Sequence, residues 1–370
     1  MTVGAVAITG TLVLTACGSN NNTATSTPSG GTPSSSASNA SSISCATGQI
    51  LASGSTAQQN AVDSWVKNYQ QACSGASINY KGSSSGEGIV SFNQGAVAFA
   101  GSDSPLKSTE TASSKAVCSG GQGISIPMVG GPIAVGYNLP GVTGLVLDAP
   151  TLAKIFNSQI TTWNDPAIKA LNPSATLPSS KIQTVHRQDE SGTTDNFTKY
   201  LKGAAPSAWP YAHAKAWAGH GGQAAPKSSG VAGLVKQTEG SIGYFELSYA
   251  TANSIPTVKI NTGASAPVDA SSVNASAGIA SAKIVGTGSD LSLDLSAAYV
   301  TKADNAYPIV LVTYEIACDK GNKAATLPLT KSFLNYMASD AGQAQLSAQG
   351  YAPLPAEIAT KVRSTVSALS

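Results

Sequence analysis

Few side chains in this sequence carry a charge: 21 basic and 19 acidic residues among 370 amount to 11%, where about 25% is usual for a soluble protein. The net charge is only +2. Such balance argues against nucleic acid as the main partner, because binding a phosphate backbone normally shows as a basic surplus or a clustered Lys/Arg stripe. Histidine is rare too, with three in the chain. No two cysteines are spaced C-x2-C and no His cluster accompanies them, so neither a metal nor another cofactor is expected. A disordered composition is equally missing. Hydrophobic residues make up 42% of the chain, and the length suffices for one large domain or two ordinary ones.

The scarce charges are also unevenly placed, with no Asp, Glu, Lys or Arg before Asp63. This stretch opens on an apolar run, Val3 to Val13, about the length of a signal-peptide core and too short to span a bilayer. A basic segment normally precedes such a core and none does here, so the true start is expected upstream of Met1. The run ends in Leu14-Thr15-Ala16-Cys17-Gly18, small residues before a cysteine, which resembles the lipobox of bacterial lipoproteins. In that family the chain is cut before the cysteine, which becomes the lipid-bearing N-terminus. From Gly18 to Ser44 every residue except Ile43 is Gly, Ser, Thr, Asn, Pro or Ala. Such a segment cannot bury enough apolar surface to offset the entropy of ordering, and reads as a flexible tether.

With Cys17 lipidated, Cys45, Cys73, Cys118 and Cys318 leave an even number in an oxidising compartment. Four cysteines allow three pairings. The favoured one joins Cys45 to Cys73, which flank one strand-helix unit, and Cys118 to Cys318.

Beyond Cys45 the pattern alternates between strand and helix. Gln49 to Ala52 reads as a strand, followed by Ala57, Ala61, Val62, Trp65, Val66 and Tyr69 at helical spacing. Ile78 to Tyr80 leads to a helix through Ile89, Val90 and Phe92, and Ala96 to Ala100 is a third strand. Ile124 to Tyr137 is apolar and long for a single strand. Ile182 to Val185 precedes a helix at Phe197 to Leu201, and Ile309 to Ile316 is a late strand. The alternation predicts an α/β fold with largely parallel sheets. Ala264 to Ala282, rich in Ala, Ser and Val, reads as a surface loop.

Three strand-to-helix turns share a chemistry: Ala52-Ser53-Gly54-Ser55-Thr56-Ala57, Gly82-Ser83-Ser84-Ser85-Gly86-Glu87-Gly88 and Gln188-Asp189-Glu190-Ser191-Gly192-Thr193-Thr194. A helix N-terminus offers unpaired N–H groups and the positive end of the dipole, Gly lets backbone approach closely, and Ser or Thr adds a hydroxyl. One such turn is ordinary N-capping. Three in an α/β chain point to an anion site, because strand ends converge on one crevice in open sheets. Arg187 stands two residues before Asp189, so in extended chain the carboxylate can hold the guanidinium in a fixed orientation. Asp103 follows an apolar strand in Gly101-Ser102-Asp103-Ser104-Pro105-Leu106.

Taken in order and spacing, Gly54-Ser55-Thr56, Ser84-Ser85-Gly86, Gly101 to Leu106 and Arg187 to Thr193 resemble the phosphate-binding protein of the bacterial high-affinity phosphate (Pst) ABC transporter. Trp163-Asn164-Asp165-Pro166-Ala167-Ile168, Glu239-Gly240-Ser241-Ile242-Gly243-Tyr244 and Gly350-Tyr351-Ala352-Pro353-Leu354-Pro355 agree with it. The resemblance runs from about Ile50 to near the C-terminus. It implies a type II periplasmic-binding-protein fold: a signal peptide at 1–16, a lipidated tether at 17–44, one lobe of 45–129 plus 307–370, and a second of 130–306. The chain would cross between lobes near Val129-Gly130-Gly131-Pro132 and Ala306-Tyr307-Pro308. By motif, Thr56 and Ser85 become hydroxyl donors and Ala57 and Gly192 backbone N–H donors. Arg187 supplies the guanidinium, while Ser191 and Thr193 donate from the second lobe. Asp189 and Ser55 stand behind this set. Asp103 accepts a hydrogen bond from the ligand's own proton, which phosphate has near neutrality and sulfate lacks. Ala57 replaces an aromatic residue found in relatives, so only its backbone role carries over. The resemblance further implies a non-enzymatic, monomeric protein on the outer face of the cell membrane, delivering phosphate to permease subunits served by a cytoplasmic ATPase.

Two other readings compete. The same fold can serve an envelope phosphate sensor or adhesin that docks to no permease. Alternatively, Gly82-Ser83-Ser84-Ser85-Gly86 matches the G-x-S-x-G nucleophile elbow, making Ser84 the nucleophile of a hydrolase with His186, His213 or His220 as base. The last requires one of these histidines within hydrogen-bond distance of Ser84.

Overall fold

The computed structural model describes residues 43–370. The expected signal peptide, Cys17 and the tether up to residue 42 lie outside the described residues. Eight strands form one sheet: β1 (Gly48–Gly54), β2 (Ala76–Gly82), β3 (Phe99–Ser102), β4 (Gly123–Asn138), β5 (Gln183–Arg187), β6 (Gln223–Ala225), β7 (Ser241–Glu246) and β8 (Val310–Cys318), in the order β2-β1-β3-β8-β4-β7-β5-β6. Both flanks are parallel. The three central junctions, β3 with β8, β8 with β4 and β4 with β7, are antiparallel. This corrects the expectation of a largely parallel sheet. The parallel β-α units are confined to the flanks, and the two strands joining the halves run back against them.

The long apolar run is one continuous strand. Residues 123–132 of β4 pair with β8 and residues 133–138 pair with β7, so the strand serves both halves of the molecule. All of it but Asn138 is buried, which explains the absence of polar alternation.

Helix α1 (Gln59–Ala72) buries Ala61, Val62, Trp65 and Tyr69, the face that helical spacing predicts. Trp65 Nε1 donates to the Gly342 carbonyl at 2.7 Å, which satisfies the buried indole. Strand β3 starts at Phe99, three residues later than expected, so Asp103 leaves its end directly. After α2 (Ser85–Asn93) and α3 (Gly192–Ala204), the segment read as a surface loop contains a helix, α4 (Ser272–Ile279). Ser271 caps α4 by accepting from Asn274 N at 3.2 Å. Ala275 and Ile279 are buried against the middle of β4, where a Cβ on Gly130 would lie 2.5 Å from Ile279 Cδ1. Alanine and serine masked the helix because they give little hydrophobic periodicity.

Both disulfides take the favoured pairing, Cys45–Cys73 and Cys118–Cys318, each with Cα atoms 5.4 Å apart. The second joins the turn before β4 to the end of β8. Among the described residues no helix is long and apolar enough to cross a membrane.

Candidate anion site

The three Ser/Gly turns meet in one buried cluster. At the end of β1, Gly54 holds φ +145° and its backbone lies so close to Gly101 that a side chain would overlap it. A Cβ on Gly88 of α2 would lie 2.5 Å from Gly54 Cα. Glycine at these points lets β1, β3 and α2 converge on Asp103.

Asp103 is 2% exposed. Its two carboxylate oxygens accept from the hydroxyls of Ser55 and Ser85, the latter at 3.1 Å. Ser85 Oγ in turn accepts from Asp103 N at 3.2 Å and from Gly192 N at 3.1 Å. Ala57 N donates to Ser55 Oγ at 2.9 Å. Burial pushes the Asp103 carboxyl up to about 7, helped by the nearby charge of Glu246 and opposed by the Ser55 and Ser85 hydroxyls and by Arg187.

On the opposite side, Arg187 ends β5 and is likewise 2% exposed. Its Nε donates to Asp189 Oδ1 at 3.0 Å and its Nη2 to Oδ2, a two-pronged grip. Burial works against the charge of each partner, but their pairing prevails. The guanidinium is held above its ordinary value and the Asp189 carboxyl below its own. Nη1 is left pointing at Ser228 Oγ, 3.1 Å away, and Thr193 Oγ1, 3.4 Å away. Ser191 caps α3 by accepting from Thr194 N at 3.4 Å, which leaves its own proton to give. Gly192 follows, and a Cβ there would fall 2.5 Å from Asp103 Cβ, so only glycine lets the α3 N-terminus press against the carboxylate.

Thr193 lies between Arg187 and Glu246. Its hydroxyl donates to Glu246 Oε1 at 2.6 Å, and its oxygen accepts from Arg187. In this arrangement its one proton goes to Glu246, as the Ser85 proton goes to Asp103.

The structure thus brings Ser55, Thr56, Ala57, Ser85, Asp103, Arg187, Asp189, Ser191, Gly192 and Thr193 together. The halves touch through them: Thr56 Oγ1 shares a 3.1 Å hydrogen bond with Ser228 Oγ, Asn196 Nδ2 donates to the Asp103 carbonyl at 2.6 Å, and Gly86 N donates to Glu190 O at 3.1 Å. Beside this contact, Ser104 Oγ reaches Asp195 Oδ2 at 2.7 Å and Lys215 forms a 2.9 Å ion pair with Glu110.

Sequence reading missed Ser228, Asn196 and Glu246. Ser228 had a signal, since Lys227-Ser228-Ser229-Gly230 follows β6 and opens the helix Lys227–Gln237, a fourth turn of the same style. Glu246 had none, being a lone acid at the end of an apolar strand.

The histidines do other work. His186 stacks on Trp217 at 5.0 Å, His213 Nδ1 contacts Asp195 Oδ1 at 2.6 Å, and the His220 backbone N donates to Asn157 at 3.3 Å. Ser84 caps α2 by accepting from Glu87 N at 3.2 Å. Among the described residues no histidine hydrogen-bonds to Ser84, so the requirement of the hydrolase reading is not met.

A family model described as a PBP superfamily domain matches residues 33–341. Phosphate-binding protein PstS 3 of Mycobacterium tuberculosis is 43% identical over 363 residues, covering 98% of this chain and 96% of the relative. PstS 2 of the same organism is 41% identical over 364 residues, with 98% and 96% covered. Among solved structures, a high affinity periplasmic phosphate-binding protein, PfluDING, bound with phosphate, superposes with TM-score 0.68 at 21% identity, over 86% of this chain and 93% of that one. The shared fold is the two-lobed type II arrangement. The chain therefore belongs to the PBP superfamily and, within it, to the PstS family of phosphate-binding proteins.

Proposed function

We propose that this protein binds inorganic phosphate outside the cytoplasmic membrane and delivers it to an ABC permease for import. One observation carries the choice of ligand: a buried carboxyl, Asp103, stands inside a nest of hydroxyls and backbone N–H groups that faces a single guanidinium. Such a carboxylate accepts a hydrogen bond from a protonated oxyanion and repels one without a proton. Thr56, Ser85 and Ser191 supply hydroxyl protons, Ala57 and Gly192 supply N–H groups, and Arg187 Nη1 supplies the charge. Asp189 keeps the guanidinium aimed, and Ser55 orients Asp103. On binding, the ligand oxygens take over hydrogen bonds that these groups make to one another.

The lobes in this reading are 45–129 with 307–370, and 130–306. The change of β4's partner from β8 to β7 after Pro132 supports the first crossing. Cys17 carries the lipid that holds the protein, as a monomer, at the extracytoplasmic face of the membrane. The names of the PstS relatives and the phosphate in the superposed structure support the ligand.

The test is a competition titration of the Asp103→Asn variant with phosphate and sulfate. An amide can donate to sulfate, so the variant should lose much of its preference, which for an unmet buried charge is worth about 1–3 kcal/mol or more. Unchanged selectivity would refute the role given to Asp103.

A further inference from the structure

Three carboxyls, Asp103, Asp189 and Glu246, gather around the one guanidinium of the site. Asp189 is matched by Arg187, and Asp103 receives two hydroxyls. Glu246 is not so provided. It is 2% exposed, its Oε1 takes the Thr193 proton at 2.6 Å, and its Oε2 receives no hydrogen bond from the described residues. A buried carboxylate oxygen without a donor is costly, so its missing donor needs an account.

The neighbours cannot supply it. Arg187 directs its nitrogens to Asp189, Ser228 and Thr193. Tyr249 and Tyr351 also face Glu246, but each hydroxyl donates elsewhere at 2.7 Å, to the carbonyls of Thr56 and Ala57. Burial keeps both phenols neutral, so they add no charge of their own. On its own strand, Tyr244 is turned to Thr194, 2.7 Å away. Asp103 is the remaining titratable group that feels Glu246, and the two carboxyls repel.

Resting on the phosphate reading above, we infer that Glu246 is a second acceptor for ligand protons, so that the site holds phosphate together with two protons, one shared with Asp103 and one with Glu246. Phosphate is then retained as its monoanion even where the dianion dominates in solution. The additional proton is drawn from the solvent on binding, and it relieves the excess of carboxyls over guanidinium. Glu246 is thereby a specificity residue, because an oxyanion without protons meets two repelling carboxylates instead of one.

Isothermal titration of phosphate into the protein at about pH 8, repeated in buffers of different ionisation enthalpy, counts protons taken up. Linkage then predicts about one proton per phosphate bound, and an affinity that falls about tenfold for each further pH unit. Glu246→Gln preserves an acceptor for Thr193 but cannot share a ligand proton. It should bind with proton uptake near zero and a flatter pH profile. No uptake in the wild-type protein, or equal uptake in wild type and variant, overturns the inference while leaving phosphate binding intact. No heat with phosphate at all overturns the phosphate reading along with it. The wild-type count decides the matter alone if Glu246→Gln proves unstable to thermal unfolding.

Discussion

Glu315 invites a stability experiment. It lies in the middle of β8, opposite Gly101 on one side and Ile126 on the other, with 0% of its surface exposed. Neither carboxyl oxygen is hydrogen-bonded among the described residues. Burial pushes the group up to about 8 from an ordinary 4.5, with Gln58 opposing and the charge of Asp103 adding to the rise. In the unfolded chain the group ionises near its ordinary value, so between the two values the folded state holds more protons. Stability must therefore fall as pH rises through that window, with the full cost present above the folded value. Each unit is worth about 1.4 kcal/mol, which makes the total on the order of 5 kcal/mol. Glu315→Gln removes the ionisation while keeping the shape. Urea unfolding at about pH 5, 7 and 9 should show the variant gaining on the wild type by most of that amount across the series. Parallel stability profiles for the two proteins would show that Glu315 ionises in the fold as readily as in the unfolded chain, and the reasoning would fail.

Other outcomes follow from the site and the cross-links. Arg187→Ala removes a charge-assisted donor whose aim Asp189 fixes, and should weaken phosphate binding by about 2 kcal/mol or more in a calorimetric titration; wild-type affinity would remove Arg187 from the site. Because the Asp103 carboxyl sits at about 7, it becomes neutral and able to donate below that value. The ratio of sulfate to phosphate dissociation constants, measured by competition, should shrink as pH falls through neutrality, and a ratio that widens would contradict this. Replacing Cys118 and Cys318 together by Ser should cost about 2–5 kcal/mol of stability, read as a lower unfolding midpoint.

What the sequence made legible was what is local. The buried face of α1 and the three Ser/Gly turns are written in residues a few positions apart, and Ser84 and Ser191 cap their helices where the pattern placed them. Pairings across long separations were harder to see. Thr56 meets Ser228 from 172 residues away, and only a systematic reading of every Ser/Gly turn would have flagged the second partner. The antiparallel middle of the sheet follows from how β4 and β8 tie the halves together, a tertiary fact with no periodic signature. Helix α4 lies in an Ala/Ser-rich stretch, and its burial against Gly130 is set by β4 rather than by its own pattern. Glu246 is the sharpest case, a lone acid whose neighbours come from three separate stretches of chain.

The two disulfides also impose an order of arrival. Cys45 and Cys73 are 28 positions apart and can meet while most of the chain is still to come. Cys118 must wait for a partner 200 positions later. For a chain threaded outward from its N-terminus, the early bond closes first and withdraws two thiols from circulation. When Cys318 emerges, Cys118 is the one thiol left among the four cysteines of the described residues, so their three conceivable pairings narrow to one by timing before any native contact has to choose between them.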